Sequence, residues 1–179
     1  MNRILTFFII LLVFLSCEKE EKREPRGEAI LSSQLFGSGP YYVNGFSFKK
    51  GDNVKYPGGD VIPDVVMLSK KNNTGEITGA YLESPDNLEA FSLAGDFENA
   101  SLAETFYNEY SEVQETDYTA ITDSVKSNQV WVIKTRAGNY AKILTTGLAF
   151  FEEGALGSYV ELGFRWEFQP EGSKIFMTK

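Results

Sequence analysis

The sequence contains no histidine and only one cysteine among its 179 residues. Without histidine, a Ser-His-Asp triad, a Cys-His pair and a His-containing zinc site are excluded. A single cysteine forms no intramolecular disulfide, and a folded unit of ~150 residues needs none, because it buries roughly 68–70% of its extended surface. Basic residues are also scarce, with 17 against 25 acidic residues and a net charge of -8. Nucleic-acid binding requires a basic face and is therefore not expected.

The amino-terminal segment has the organisation of a secretory signal. Arg3 precedes a twelve-residue apolar stretch, residues 4–15, that is broken only by Thr6. Twelve helical residues cover ~18 Å, which is too short for the ~30 Å hydrocarbon core of a bilayer. Because Ser16 and Cys17 follow, the segment resembles a bacterial lipoprotein signal with its lipobox. The resemblance implies cleavage before Cys17 and acylation of that cysteine by palmitate-type chains. An ordinary signal peptide with an incidental cysteine and a buried core helix are the alternatives.

A highly charged segment follows the cysteine. Residues 18–28 include nine charged residues out of eleven, with Pro25 and Gly27 between them. This composition buries little apolar surface and predicts a disordered tether. Residues 19–21, Lys-Glu-Glu, resemble the signal that sends Bacteroidota lipoproteins to the cell surface. The predicted organisation is a signal peptide at 1–16, a lipidated cysteine and tether at 17–28, and one domain at 29–179. We expect that domain to be anchored at the outer membrane and to face the exterior.

The remainder of the chain has the patterning of antiparallel strands. Turn residues at 72–75 separate an apolar run at 65–68 from a second run at 76–83, which predicts a hairpin. A second hairpin is predicted from 129–135 and 140–146, with its turn at 136–139. Residues 160–168 alternate between apolar and polar side chains, which indicates a strand with one buried and one wet face. A last strand is predicted at 174–178. The fold class is therefore all-β, mainly antiparallel with sandwich-like sheets.

One amphipathic helix is predicted near residues 101–113. Ser101 has the position of an N-cap, and Glu104 would complete a capping box. Apolar residues then recur at helical spacing from Leu102 to Val113, with polar residues on the opposite side. Such an aromatic-rich stripe is more typical of a core-facing surface than of a ligand platform. We therefore expect the stripe to pack against the sheets.

The carboxyl-terminal third resembles a known family. The chain reads KTRAGNYAKI at 134–143 and FRWEFQPEGS at 164–173. Over residues 128–176 this pattern is similar to that of the HmuY-like lipoproteins of Bacteroidota, and the lipobox and charged tether agree with it. Members of that family are β-rich outer-membrane lipoproteins. The characterised ones capture haem and deliver it to a TonB-dependent receptor, so the resemblance implies haem as the candidate cofactor and such a receptor as the candidate partner.

The residues that hold haem iron in that family do not transfer directly. The family uses paired histidines or paired methionines, and this chain has no histidine. Beyond the signal segment its methionines are Met67 and Met177, which are the candidate ligand-binding residues. Each can also be an apolar filler of the core. Tyrosine is another haem ligand, and the nine tyrosines single out no position.

The remaining motifs indicate binding rather than catalysis. Glutamates at 152, 153, 161 and 167 offer paired carboxylates, but neighbouring glutamates on strands are typical of a solvated face. Ser124 lies in an Asp-Ser-Val triplet that resembles a Bacteroidota O-glycosylation site. We predict a non-catalytic surface lipoprotein that binds haem, another porphyrin or another apolar molecule for uptake. The alternatives are an accessory lipoprotein that binds another outer-membrane protein, and a surface enzyme that uses carboxylates.

Overall fold

The computed structural model describes residues 25–37, 42–114, 116–152 and 157–177. These ranges contain nine β-strands and one α-helix. In chain order they are β1 (Arg26–Ser32), β2 (Val43–Ser47), β3 (Asp52–Tyr56), β4 (Val66–Lys71), β5 (Ile77–Glu83), β6 (Phe91–Asp96), α1 (Ala100–Glu109), β7 (Gln129–Lys134), β8 (Tyr140–Phe151) and β9 (Tyr159–Gln169). The expected all-β fold with a single helix is confirmed. Within the described ranges, no helical segment has the length and hydropathy of a membrane span.

A five-stranded antiparallel sheet forms the centre of the domain, in the order β1-β9-β8-β7-β6. The predicted β7–β8 hairpin is present, and its turn is closed by a 2.8 Å hydrogen bond from the Thr135 amide to the Asn139 carbonyl. Gly138 lies in that turn at φ +80, a left-handed conformation that glycine adopts without steric cost. β8 continues past β7 to Phe151 and pairs along its whole length with β9. The sheet therefore ends in a two-stranded ribbon.

The alternation predicted for residues 160–168 is confirmed for its apolar half. Five side chains of β9 are buried on one face of the sheet: Val160, Leu162, Phe164, Trp166 and Phe168. The opposite face is not uniformly wet, because Glu167 is buried beside Lys142 of the adjacent strand. The prediction of a solvated glutamate row is thus wrong at this position. A buried cation directly across the strand pair is what allows a carboxylate to lie there.

Two hairpins cover the apolar face of the sheet. β2 pairs with β3. β4 pairs with β5, and this second hairpin is the one that the turn residues at 72–75 predict. In that turn the Asn72 side chain accepts hydrogen bonds from the amides of Thr74 and Glu76. A bridge between Phe46 and Val65 connects the two hairpins. They form a second layer, and one apolar cluster joins their inward side chains to those of the sheet.

The helix covers the other face of the sheet. It begins after Asn99, whose side chain accepts a hydrogen bond from the Leu102 amide, so Ser101 is not the N-cap that the sequence predicted. Asparagine and serine cap equally well, and the extended backbone of Asn99 decides between them. The helix ends at Glu109, and the buried Val113 lies beyond it. Leu102 is 54% exposed, so the core-facing stripe is narrower than predicted and is centred on Ala103 and Tyr107.

The ends of the domain also differ from the prediction. β1 begins at Arg26, so the last three residues of the predicted tether, 26–28, belong to the sheet. The strand predicted at 174–178 is represented in the described residues by a single bridge between Ile175 and Glu112. That segment packs beside the helix through the buried Phe176. Cys17 and residues 18–24 lie outside the described residues.

Candidate functional site

A cleft of about 340 Å³ lies between the β4–β5 hairpin and the ribbon end of the sheet. We call it the β4 cleft, because four residues of its wall and one at its rim come from that strand. Its lining includes residues after β1, at β2 and β3, along β4, and at the start of β9. They are Ser33, Gln34, Leu35, Val43, Tyr56, Val66, Met67, Leu68, Ser69, Lys71, Glu83, Gly157, Ser158 and Tyr159. The lining combines apolar side chains with polar ones, and a cavity of this size is typical of a small-molecule site.

The position of Met67 follows from the alternation of β4. Met67 pairs with Leu82 of β5 and belongs to the main apolar cluster, where it is 1% exposed. Its neighbours Val66 and Leu68 point to the opposite side of the hairpin, because successive side chains of a strand alternate. The Met67 side chain is therefore part of the core floor beneath the cleft. A bound molecule would have to displace core packing to reach its sulfur atom.

Polar groups at the rim of the cleft are available to a ligand. In the described part of the chain, the side chains of Tyr56, Lys71 and Tyr159 make no hydrogen bond or ion pair with protein groups. Ser33 and Ser158 differ, because the Ser33 hydroxyl accepts from the Val160 amide and the Ser158 hydroxyl donates to the Gly75 carbonyl. These two bonds fix the rim to the sheet and to the hairpin turn. The cleft thus has a rim fixed by hydrogen bonds of Ser33 and Ser158, and three side-chain donors that a ligand can bind.

A second pocket, of about 490 Å³, adjoins the β4 cleft and shares Ser158 with it. We call it the β8 pocket, since Phe150 and Phe151 at the end of β8 line it together with residues 74–77, Glu152 and Ser158. Phe151 stacks on the cleft residue Tyr159, with ring centroids 4.6 Å apart and an interplanar angle of 8°. Phe150 remains 55% exposed. The two cavities therefore meet at an aromatic stack.

Met177 lies elsewhere. It is 53% exposed and lines a different pocket, of about 220 Å³, on the helix face of the sheet. This charged pocket, which Arg26, Glu28, Lys142, Arg165 and Glu167 also line, has no lining residue in common with the β4 cleft. A thioether pair on one haem iron would need both sulfur atoms at a single site. Met67 and Met177 are placed at two sites, so the predicted pair does not fit the iron.

The charged pocket is built around a buried ion pair. The Lys142 ammonium lies 3.4 Å from a Glu167 carboxylate oxygen, and both side chains are almost fully buried. It also donates 2.9 Å hydrogen bonds to the carbonyls of Tyr107 and Tyr110, at the end of α1. The other Glu167 oxygen accepts a 3.0 Å bond from the Met177 amide. Burial lowers the pKa of Lys142, and the nearby Glu167 carboxylate opposes that shift. The Lys142 ammonium and the Glu167 carboxylate thus bind each other and nearby backbone groups. Through these bonds the pair holds the helix and the carboxyl-terminal segment to the sheet.

Sequence reasoning missed this pair, although a signal for it exists. Lys142 is the only charged residue within the apolar run 141–144, and a lysine there requires a buried partner or a solvated face. Glu167 lies on the polar side of β9, directly opposite Lys142 in the strand pairing. Only that pairing identifies them as partners.

The other predicted site residues stand as follows. Ser124 is exposed and lines a shallow pocket beside β5 and Phe150, and its glycosylation stays a prediction. Cys17 lies outside the described residues, so lipidation also stays a prediction. In the described ranges, no group of three or more acidic or cysteine side chains is arranged to hold a metal ion. Sequence reasoning did not identify Lys71, Tyr56 or Tyr159, because an exposed lysine and two tyrosines carry no pattern of their own.

Comparison with known proteins gives a distant likeness among solved structures. No family model and no curated protein matches the chain. Among solved structures, the chain is similar to the crystal structure of the apo HmuY analog of Tannerella forsythia. The two sequences are 12% identical, the match covers 81% of this chain and 96% of that chain, and the TM-score is 0.43. A likeness at this TM-score is too distant to assign this chain a family or a ligand.

Proposed function

We propose that this protein is a non-catalytic outer-membrane lipoprotein that binds an apolar molecule, haem or another porphyrin among them, and presents it for uptake. The observation that carries the proposal is the β4 cleft, with its apolar wall and its free polar rim. The resemblance of residues 128–176 to the HmuY-like lipoproteins supports a porphyrin. Iron ligation by Met67 and Met177 forms no part of the proposal, because the two residues line different pockets.

The direction of β1 supports capture of a ligand from the exterior. Arg26 at the start of β1 pairs with Glu167, whereas Ser33, just beyond its end, bonds to Val160 next to the cleft residue Tyr159. Seven residues at ~3.3 Å each give a separation of ~23 Å between these ends. A lipid on Cys17 would join the domain at its Arg26 end. The β4 cleft is then at the opposite end of the sheet from the attachment of the tether.

A partner protein is the second part of the proposal. The exposed Phe150 lies between the β8 pocket and a shallow pocket beside β5. A large exposed aromatic side chain of this kind is enriched at protein interfaces. We propose a TonB-dependent receptor of the outer membrane as the partner that contacts this end of the ribbon. Should no ligand bind, an accessory lipoprotein that only contacts such a membrane protein becomes the favoured function.

The test is a titration of the full-length protein in detergent, with empty micelles as the blank. Ferric haem, ferrous haem and metal-free protoporphyrin are the probes, followed by visible absorbance and by the melting temperature. We expect saturable one-to-one binding and a higher melting temperature, because a ligand of the native state stabilises it. Leu68→Arg, which fills the cleft, should weaken binding by about tenfold or more, which is 1.4 kcal/mol. Leu93→Arg, at an exposed leucine of β6, is the matched control. Absence of binding by all three probes would refute haem and porphyrin as ligands.

A further inference from the structure

We infer that the ligand of the β4 cleft is an amphiphile whose acidic group binds Lys71 while its apolar body lies along β4. This inference rests on the proposed function and names the chemical class of the ligand. The inference follows from the positions of the charged lining residues, Lys71 and Glu83, and of the apolar residues between them.

Lys71 reaches across the mouth of the cleft. It is the last residue of β4, and its ammonium nitrogen lies 3.6 Å from the position that a Cβ would occupy at Gly157, just before β9. Gly157 has φ +104, a conformation that favours glycine, so the backbone there leaves room for the lysine. The ammonium group thus lies beside Gly157, and both residues line the cleft.

The charge of Lys71 is not neutralised by the described residues. Three lysines have a carboxylate partner within 4 Å: Lys126 with Asp96, Lys134 with Glu89, and Lys142 with Glu167. Among the lysines without such a partner in the described residues, Lys71 is the one that lines the cleft. Lys71 has no ion pair in residues 25–37, 42–114, 116–152 and 157–177. In a chain of net charge -8, an unpaired cation at a cavity mouth is the group that attracts an anion.

Acidic side chains restrict where the acidic group of the ligand can lie. Glu83 lines the cleft at the other end of β4, opposite Val66, and five strand steps separate that end from Lys71 by ~16 Å. In the adjoining β8 pocket, Glu76 and Glu152 supply further negative charge. A ligand carboxylate is therefore favoured beside Lys71. It is disfavoured at the Glu83 end of the cleft and in the β8 pocket. Between Lys71 and Glu83 the wall includes Val66 and Leu68 of β4, which offer apolar surface to a hydrocarbon or ring body.

The experiment compares an acid with its neutral ester in the full-length protein in detergent. The probes are protoporphyrin IX and its dimethyl ester, with dodecanoate and methyl dodecanoate as a second pair that replaces rings by a chain. We expect the acid of at least one pair to bind about tenfold more tightly than its ester, because a charge-assisted bond is made only with the acid. Lys71→Met, which keeps the apolar stem, should abolish that preference. Lys70→Met is the matched control, since Lys70 is the exposed neighbour on the same strand and does not line the cleft.

The outcomes separate the two proposals. A preference for the acid that Lys71→Met removes and Lys70→Met retains supports the inference, and the pair of probes that shows it identifies a ring or a chain as the body. Equal binding of acid and ester by the wild-type protein overturns the inference while leaving the proposed function in place. The same holds if Lys71→Met keeps the preference. If neither pair binds at all, the proposed function fails and the inference fails with it.

Discussion

The two faces of the five-stranded sheet are built from alternate residues of the same strands, and they are held in different ways. On the hairpin face, Phe46 meets the rings of Phe48, Phe164 and Trp166 at centroid distances of 5.2–5.5 Å. On the helix face, the buried Lys142 contacts a carboxylate, two helix carbonyls and the rings of Tyr107 and Phe176. Many ring contacts therefore hold the hairpin face, whereas the helix face combines two smaller apolar clusters with one buried cation.

Because the contacts differ, the two faces should tolerate substitution to different degrees. Hydrophobic packing is non-directional, so a ring can be exchanged for another apolar side chain at moderate cost. A buried charge has no such tolerance, because losing its partner leaves an ion in a medium that solvates it poorly. We therefore expect size-conserving substitutions to be mild in the apolar cluster of the hairpin face and severe at the buried ion pair of the helix face.

The largest effect is expected from Lys142→Met. The side chain keeps its length, but Glu167 loses its counter-ion and the carbonyls of Tyr107 and Tyr110 lose their donor. The free energy of unfolding should fall by about 3–5 kcal/mol. Denaturant titration measures it, and Lys126→Met, at an exposed ion pair, should change it by about 0–1 kcal/mol. A loss below ~1 kcal/mol for Lys142→Met would show that the two faces do not differ.

A second substitution should recover part of that loss. In Lys142→Met combined with Glu167→Leu, no unpaired carboxylate remains buried. We expect the double variant to be more stable than Lys142→Met alone by about 2 kcal/mol, although the helix carbonyls stay without a donor. The same denaturant titration gives the coupling between the two positions. Simple addition of the two single losses would contradict a cost that comes from the unpaired charge.

Phe46→Leu probes the hairpin face with a comparable change of size. Leucine keeps the site apolar and loses only part of the ring contacts, so we expect a loss of about 1–2 kcal/mol. Unfolding in denaturant with an unchanged slope would confirm a purely local effect. If Phe46→Leu cost as much as Lys142→Met, the proposed tolerance of the apolar face would be refuted.

The attachment of the helix can be tested at its first turn. Asn99→Ala removes the acceptor of the Leu102 amide and should cost about 1 kcal/mol. Ser101→Ala, at the cap position that the sequence predicted, should leave stability within ~0.5 kcal/mol. Thermal unfolding of the two variants side by side distinguishes them. A larger loss for Ser101→Ala would contradict the cap at Asn99.

The smallest effect concerns Asp64, the only carboxyl that the hairpin layer buries with a resolved pKa shift in the described residues. Burial raises its pKa above the ordinary 3.8, although the Phe48 amide donates to it. Folding therefore favours the protonated form, which stabilises the protein below pH 3.8 and whose contribution is lost as pH rises through the folded-state pKa. The unfolding free energy of the wild type relative to Asp64→Asn should thus increase as pH falls towards 3.8. An opposite slope would show that the carboxylate is stabilised in the fold.

Several elements could be predicted from local patterns alone. The hairpins around 72–75 and 136–139 follow from turn residues, and the apolar alternation of β9 follows from a period of two. β1, β3 and β6 were not predicted. β1 overlaps a charged segment, and only pairing with β9 stabilises it as a strand. β6 carries a register shift near Ala94 and Gly95, which weakens its alternation.

The candidate site was far less accessible from the sequence. Met67 and Met177 were selected by residue type, and the fold separates them into two pockets. The residues that line the β4 cleft come from six separate stretches of the chain, and their side chains carry no shared spacing. Spacing predicts proximity only within one helix or one hairpin, because contacts between distant segments depend on how layers pack.

By itself the sequence determined the class of the fold, the absence of histidine chemistry, the acidic charge and the expectation of a lipid anchor at Cys17. These properties depend on composition and on neighbours along the chain. Only the tertiary structure decided that Lys142 and Glu167 share a buried pocket and that Met67 belongs to the core. It also placed Lys71 at the mouth of a cleft, without an ion pair among the described residues. Burial and charge pairing are set by residues far apart in sequence, and folding alone brings them within contact distance.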